Sequence, residues 1–149
     1  IKEAVTDVPI IANGNIIEWG DVVSNMELTG ADGVMSAEGL LNDPTLFSGA
    51  ISGTPIQKDK LDVVLEYLDI VDEYPVAIKS LIFHTRRICS EYLEKYQLMV
   101  DLLECSSAAE VRAVINSAVE IRDRCLREGV EFVIDPQVLY EPDVCIFTI

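Results

Sequence analysis

Two short segments of this chain carry residues of the kind that hold an anion. Asn13-Gly14-Asn15 and Ser36-Ala37-Glu38-Gly39 each follow a brief apolar run and precede a stretch with helical spacing. Small residues at such a turn let backbone amides approach a phosphate, and amides at a helix start carry partial positive charge. In parallel α/β units ligands collect at the C-terminal ends of strands, where both segments fall. As a pair they read as a phosphate site shared by neighbouring barrel strands. Singly, each reads as an ordinary glycine-containing turn.

Other chemistry-bearing residues are sparse. His84 is the single histidine and lies beside an apolar stripe. It reads either as an acid, base or ligand or as a packed side chain. Cys89, Cys105, Cys125 and Cys145 lie far apart with no Cys-x-x-Cys pair. We expect free thiols in a reducing compartment, the cytoplasm or the nucleus, and no zinc site. Their settings suit small buried residues better than reactive thiols. Glu66, Asp69, Asp72 and Glu73 read as a solvated helix face rather than as paired catalytic acids. No catalytic residue and no metal ligand is expected in this chain.

The elements that must position these residues follow from periodicity. Val8 to Ala12 is a short apolar run closed by Asn13-Gly14-Asn15, which predicts a buried strand. Ile1 to Val5 before it read as a helix end. Ile17 to Leu28 keep helical spacing through Trp19, Val22, Val23 and Met26, and Gly30 suits the left-handed position after the helix. Trp19 reads as a packing residue, and Asp7 and Asp21 as turn and cap residues. Asp32 to Ser36 predict a second strand, Ala37 to Leu41 a helix start, and Asp43-Pro44 a further N-cap and first turn. Residues 1–47 therefore have the grammar of a parallel α/β fold, but two strands do not make a free-standing parallel sheet.

Residues 48–58 are small and Gly/Ser-rich and read as a linker. Beyond them the pattern is helical. Stripes run through Leu61 to Val71 and Ile78 to Leu93, with a short helix over Tyr96 to Leu103. Ser107 and Glu110 form a capping box in which the serine accepts the Glu110 amide and the carboxylate reaches back to the serine amide. The helix it opens runs to Gly129. The apolar tail over 130–149 has no clear period.

The chain has 149 residues, a net charge of −15, 50% hydrophobic and 25% charged residues. That apolar fraction excludes a disordered tail, and no run approaches the roughly 20 apolar residues of a membrane span, so no membrane partner is expected. The first residue is Ile1 rather than methionine, from which we expect a processed chain or a C-terminal piece of a longer one. Residues 59–149 hold 9 Lys and Arg against 18 Asp and Glu, a net of −9, which weighs against strong stand-alone binding of nucleic acid. Lys79, Phe83 and Arg86 nevertheless share one helical face, and Arg87 adjoins it. Arg122, Arg124 and Arg127 offer a second basic edge.

Three ordered motifs carry a family resemblance: Ile10-Ile11-Ala12-Asn13-Gly14-Asn15-Ile16, Thr29 to Leu40 with its Met35-Ser36-Ala37-Glu38-Gly39, and Asn42-Asp43-Pro44-Thr45-Leu46-Phe47. Together they resemble the tRNA-dihydrouridine synthases, most of all the eukaryotic branch acting on D-loop uridines 16 and 17. The likeness is strong over 1–47 and looser over 59–128. It implies the C-terminal part of a TIM (β/α)8 barrel, its last two βα units, followed by an all-α domain that grips tRNA, here 59–129. It further implies FMN as cofactor and NADPH as reductant, with hydride passing from the flavin to C6 of uridine and a cysteine protonating C5. Matched position by position, Asn13, Gly14 and Asn15 fall on the first FMN loop, and Ala37 and Glu38 on the second, near the phosphate. Lys79, Arg86 and Arg87 fall in the tRNA-contacting domain.

The departures are equally specific. The family's Asn-x-Gly-Cys-Pro segment does not occur in this chain, nor do its upstream flavin-contacting Lys and His. Leu81-Ile82-Phe83-His84 stands where a His-Leu-Phe-Lys-like stretch is expected. The resemblance thus implies that the N-terminal part of the barrel, which carries the cysteine, is required, and that the chain alone is inactive. The alternatives are a non-catalytic remnant or helical RNA- or protein-binding module, and another FMN-binding barrel such as a dihydroorotate dehydrogenase relative, which the helical domain disfavours.

Overall fold

The computed structural model describes residues 2–4 and 7–132. The elements in order are a 3-10 turn at Lys2–Ala4, β1 (Ile11–Asn13), α1 (Trp19–Thr29), β2 (Gly33–Met35), α2 (Glu38–Asn42), α3 (Gly49–Ser52), α4 (Lys60–Glu73), α5 (Ile78–Lys95), α6 (Met99–Glu104) and α7 (Ala108–Glu128). The chain divides into two compact units between Lys60 and Leu61.

In the first unit β1 and β2 pair in parallel, with Ile11 opposite Gly33 and Asn13 opposite Met35. Helix α1 links them. Its start is fixed by a capping box in which Glu18 accepts from the Asp21 amide and Asp21 takes the Glu18 amide in return. Its end is fixed by Gly30, whose φ of 62° is the left-handed conformation that glycine adopts without penalty. Ile16, Val22 and Leu46 form a small core, with Trp19, Val34, Leu40 and Phe47 packed on it. The pairing matches the expected grammar, but β1 is not a buried strand. Ile11 is 52% exposed and Met35 51%. A parallel sheet is normally covered on both faces, and two strands with one linking helix leave most of that area open.

Three local expectations change. The helix end expected over Ile1 to Val5 is, in its described part, a single 3-10 turn. Pro44 opens no helix, because the backbone there closes successive turns: Leu46 donates to the Asp43 carbonyl and Ser48 to that of Thr45. Asp43 still serves as a local acceptor, taking the Thr45 amide at 2.9 Å and its hydroxyl at 2.6 Å. Residues 48–58, expected as a linker, carry α3. Gly49 is buried beneath Trp19, where a Cβ would lie 2.9 Å from the indole.

Among its described residues the second unit is all helical. Fifteen buried residues form one core, with Leu61, Val64, Leu93, Leu102, Val111, Ile115 and Ala118 wholly inaccessible. Helix α7 presents Val111, Ile115, Ala118 and Ile121 to that core at helical spacing. Ser107 accepts the Glu110 amide as expected, at 3.3 Å. The Glu110 carboxylate, however, reaches one residue further back and takes the Ser106 amide at 2.7 Å and its hydroxyl at 3.0 Å. These bonds, the Ser106 amide foremost, hold the Glu110 carboxyl below its ordinary value. Helix α6 starts at Met99 rather than near Tyr96. Tyr96 caps the end of α5, and Gln97 turns with a φ of 59°. Helix α5 kinks at Cys89, whose thiol donates to the Thr85 carbonyl at 3.1 Å. In the tail, Phe132 lies edge-on to Tyr96 at 5.1 Å. Cys145 and residues 133–149 lie outside the described residues.

Candidate functional site

The parallel register sends both strands to the same edge of the sheet, so the segments after β1 and β2 are neighbours. Asn13 ends β1 and is exposed. Gly14 follows with φ 134° and open space where a side chain would stand. Asn15 is exposed and left-handed, with φ 51°. Across from them Ala37 and Glu38 are exposed at the start of α2, where Ala37 offers no side-chain cap to the helix.

A direct bond ties the two segments. The Ser36 hydroxyl donates to the Ile16 carbonyl at 2.6 Å across 20 positions of chain. Gly39 is buried at the same point, where a Cβ would lie 2.4 Å from that carbonyl and 2.6 Å from the Ser36 hydroxyl. Gly39 is thus small so that α2 can close on the loop before α1.

The loop before α1 is held from other sides as well. Ile16 is buried in the small core. The amides of Ile17 and Glu18 donate to one Asp21 carboxylate oxygen at 2.9 and 3.0 Å. Those two bonds hold the Asp21 carboxyl below its ordinary value, Glu18 contributing most. On the far side of β2, Asp32 takes the Ile10 amide at 2.7 Å and pairs with Lys2, which lowers its pKa chiefly through the lysine.

Helical spacing predicted none of the groove on the other side of this loop. It holds about 730 Å³ and is walled by Ile17, Glu18, Trp19, Asp43, Ile56, Asp59 and two lysines, Lys58 and Lys60. Lys60 bonds Asp43 at 2.8 Å. Burial raises the Asp43 pKa, but the bonds from Lys60 and Thr45 outweigh it and the carboxyl lies below its ordinary value. Three carboxylates against two ammonium groups do not suit a polyanion.

The basic residues divide into displayed and engaged. Lys79 and Arg86 are exposed on α5 beside Phe83, as the spacing predicted, whereas Arg87 is half-buried. The second basic edge is weakened, because Arg122 donates to Asp62 and to Asp123, each at 2.9 Å. Arg112, which sequence reasoning passed over, binds Asp72 at 2.7 Å and Asp69 at 3.0 Å. Part of the expected solvated acidic face is thereby engaged. His84 is half-buried between the ring edges of Phe83 and Tyr67, at centroid distances of 5.2 and 5.9 Å. Cys89 is buried and Cys105 half-buried. Burial first, then Glu110 and Asp101, push the Cys105 thiol up, away from the reactive thiolate. Among the described residues no group of His, Cys, Asp or Glu is placed to hold a metal ion, and no helix is long and apolar enough to cross a membrane.

The sequence model of the family described as Dihydrouridine synthase (Dus) matches residues 1–129. This chain belongs to the dihydrouridine synthase family. Among curated relatives, a Rattus norvegicus protein named tRNA-dihydrouridine(16/17) synthase NAD(P)(+)-like is 34% identical over 122 residues, which cover 82% of this chain and 26% of that protein. A probable tRNA-dihydrouridine synthase 1 of Synechocystis is 28% identical over 138 residues, covering 85% and 38%. A probable tRNA-dihydrouridine synthase of Aquifex aeolicus is 37% identical over 79 residues, covering 50% and 25%. The chain thus spans about a quarter to two fifths of the length of the dihydrouridine synthase relatives it matches. The family is one of oxidoreductases with TIM-barrel architecture, and the βαβ pair of the first unit is consistent with part of such a barrel.

Proposed function

We propose that this chain is the C-terminal part of a tRNA-dihydrouridine synthase, supplying the last two βα units of an FMN-binding barrel and the helical unit that contacts tRNA. The observation that carries the reading is the pair of loops clamped side by side at the C-terminal edge of a parallel pair, in a chain of this family. Asn13 and Asn15 bring side-chain amides that both donate and accept. Gly14 leaves room for close approach. Ala37 and Glu38, exposed at the start of α2, bring the second loop to the phosphate in this reading. Reduced by NADPH, FMN would supply the hydride that converts uridine to 5,6-dihydrouridine. The proton for C5 has no donor among these residues, so the reading requires a cysteine from sequence outside this chain.

The helical unit takes the RNA in this reading. Lys79 and Arg86 are displayed for phosphates with Phe83 between them, and Arg87 flanks them. The net negative balance of that unit makes it an auxiliary contact, with the barrel supplying the stronger field. Two strands with open edges do not close a barrel, so the isolated chain is inactive in catalysis. The setting is the cytoplasm or the nucleus.

The test is made on the longest natural product that contains this sequence. It purifies with flavin absorbance and restores dihydrouridine to the D-loop of tRNA from cells lacking that activity. Replacing Asn13 and Asn15 together by Ala strips the flavin. A colourless protein, or one whose flavin content ignores both substitutions, defeats the reading.

A further inference from the structure

We infer that Ser36 and Gly39 are positioning residues for the cofactor loops: through the Ile16 carbonyl they set Asn13-Gly14-Asn15 in register with Ala37-Glu38. The inference rests on the FMN reading above and adds two residues that make no contact with the cofactor in it. Its basis is one convergence of chain. The Ile16 carbonyl accepts the Ser36 hydroxyl at 2.6 Å, and α2 closes on the same oxygen only because residue 39 lacks a side chain. Ser36 immediately precedes Ala37, and Ile16 immediately follows Asn15, so each end of the bond is one residue from a proposed contact.

The loop needs such a tie. Gly14 and Asn15 both have positive φ, at 134° and 51°, and a non-glycine residue in that region is held there by its surroundings. Three restraints act on the residues that follow. The Ile16 side chain is buried, its carbonyl is gripped by Ser36, and the next two amides are held by Asp21. The third is internal to the α1 segment, and the first packs Ile16 into a core shared with Val34, Leu40 and Leu46 without a directional bond. The Ser36 bond is the directional tie between that segment and the loop after β2, and it sets the spacing between the two loops. A ligand spanning both then binds a site already ordered, without the cost of arranging it.

The experiment uses the longest natural product that contains this sequence, carrying Ser36→Ala, Ser36→Thr or Gly39→Ala. Hydrogen exchange is followed by mass spectrometry over 14–18 and 37–40, with α7 as internal control, and FMN is titrated by quenching of flavin fluorescence. Ser36→Ala is expected to speed exchange in both loops and weaken FMN binding about tenfold, with α7 unchanged. Ser36→Thr keeps the hydroxyl and stays near wild type. Gly39→Ala, whose Cβ meets the carbonyl, loosens the loops further. Unchanged exchange over 14–18 in Ser36→Ala overturns the inference. So does faster exchange with FMN affinity equal to wild type, because the bond would then serve the fold alone. Absence of saturable quenching by the wild-type protein itself is a different signal. It removes the FMN reading for this chain and the cofactor half of the inference with it.

Discussion

The Arg122 guanidinium, on α7, donates to Asp62 of α4 at 2.9 Å while its Nε bonds Asp123 on its own helix. Its side chain is only 15% exposed. A cation spent on bridging two helices is not available to a phosphate. Arg122→Ala is therefore expected to cost about 1 kcal/mol in urea unfolding, from a partly screened ion pair and weaker packing of the stem. The tRNA affinity of the complete protein should stay the same. A variant of normal stability with weakened RNA binding would return Arg122 to the interface.

Lys79 and Arg86 are the contrasting case, exposed at positions i and i+7 of α5. In the complete protein, replacing both by Ala should weaken tRNA binding and flatten its salt dependence. Removing a cation that neutralises one phosphate lowers the slope of log K against log salt by about 0.7 to 0.9. Fluorescence anisotropy at several salt concentrations measures it. An unchanged slope removes this face from the RNA interface.

Thr85 is wholly buried on α5, and its hydroxyl has no hydrogen-bond partner among the described residues. Removing a buried polar group that lacks a partner relieves a desolvation penalty at almost constant volume. Thr85→Val should leave the helical unit as stable as wild type or more so. Leu93→Ala, at an equally buried site, should cost about 2 to 5 kcal/mol. Denaturant midpoints decide, and a Thr85→Val variant destabilised by more than about 1 kcal/mol would show that the hydroxyl is satisfied in solution.

Acid should loosen the first unit before the second. Asp21, Asp32 and Asp43 all lie below their ordinary pKa there, through amide, Lys2 and Lys60 contacts. Carboxyls lowered on folding stabilise fully above the unfolded value of about 3.9 and lose that contribution as pH falls through the lower folded values. Trp19, the single tryptophan, reports on this unit, and far-ultraviolet dichroism reports mainly on the helices. The fluorescence transition should come at the higher pH, and Asp43→Asn should diminish the difference. Coincident transitions would contradict it.

Core size makes a similar prediction at neutral pH. The first unit's buried cluster comprises Ile16, Val22 and Leu46, against fifteen residues in the second. Amides of Ile11 to Asn13 should exchange much faster than those of Val111 to Ile121, since local opening follows buried contact. Equal protection would mean that the first unit is as stable as the helical one.

Periodicity and punctuation made much of this molecule legible. The helix stripes at Leu61 to Val71 and Val111 to Ile121, the glycines at 30 and 129, and the Ser107 cap are local matters. They depend on residues within one or two turns of each other, so spacing alone determined them. The parallel βαβ grammar and the family motifs were legible for the same reason, as contiguous runs. Tertiary structure decided the rest, because it depends on which distant groups meet. Ser36 finds Ile16 across 20 positions, Arg122 finds Asp62 across 60, and Gly39 is small to suit a carbonyl 23 residues earlier. No local pattern encodes such meetings. Sequence by itself determined the long helices, the paired strands and the family. Only the packed chain decided how the two loops are held together and which of its cations remain on display.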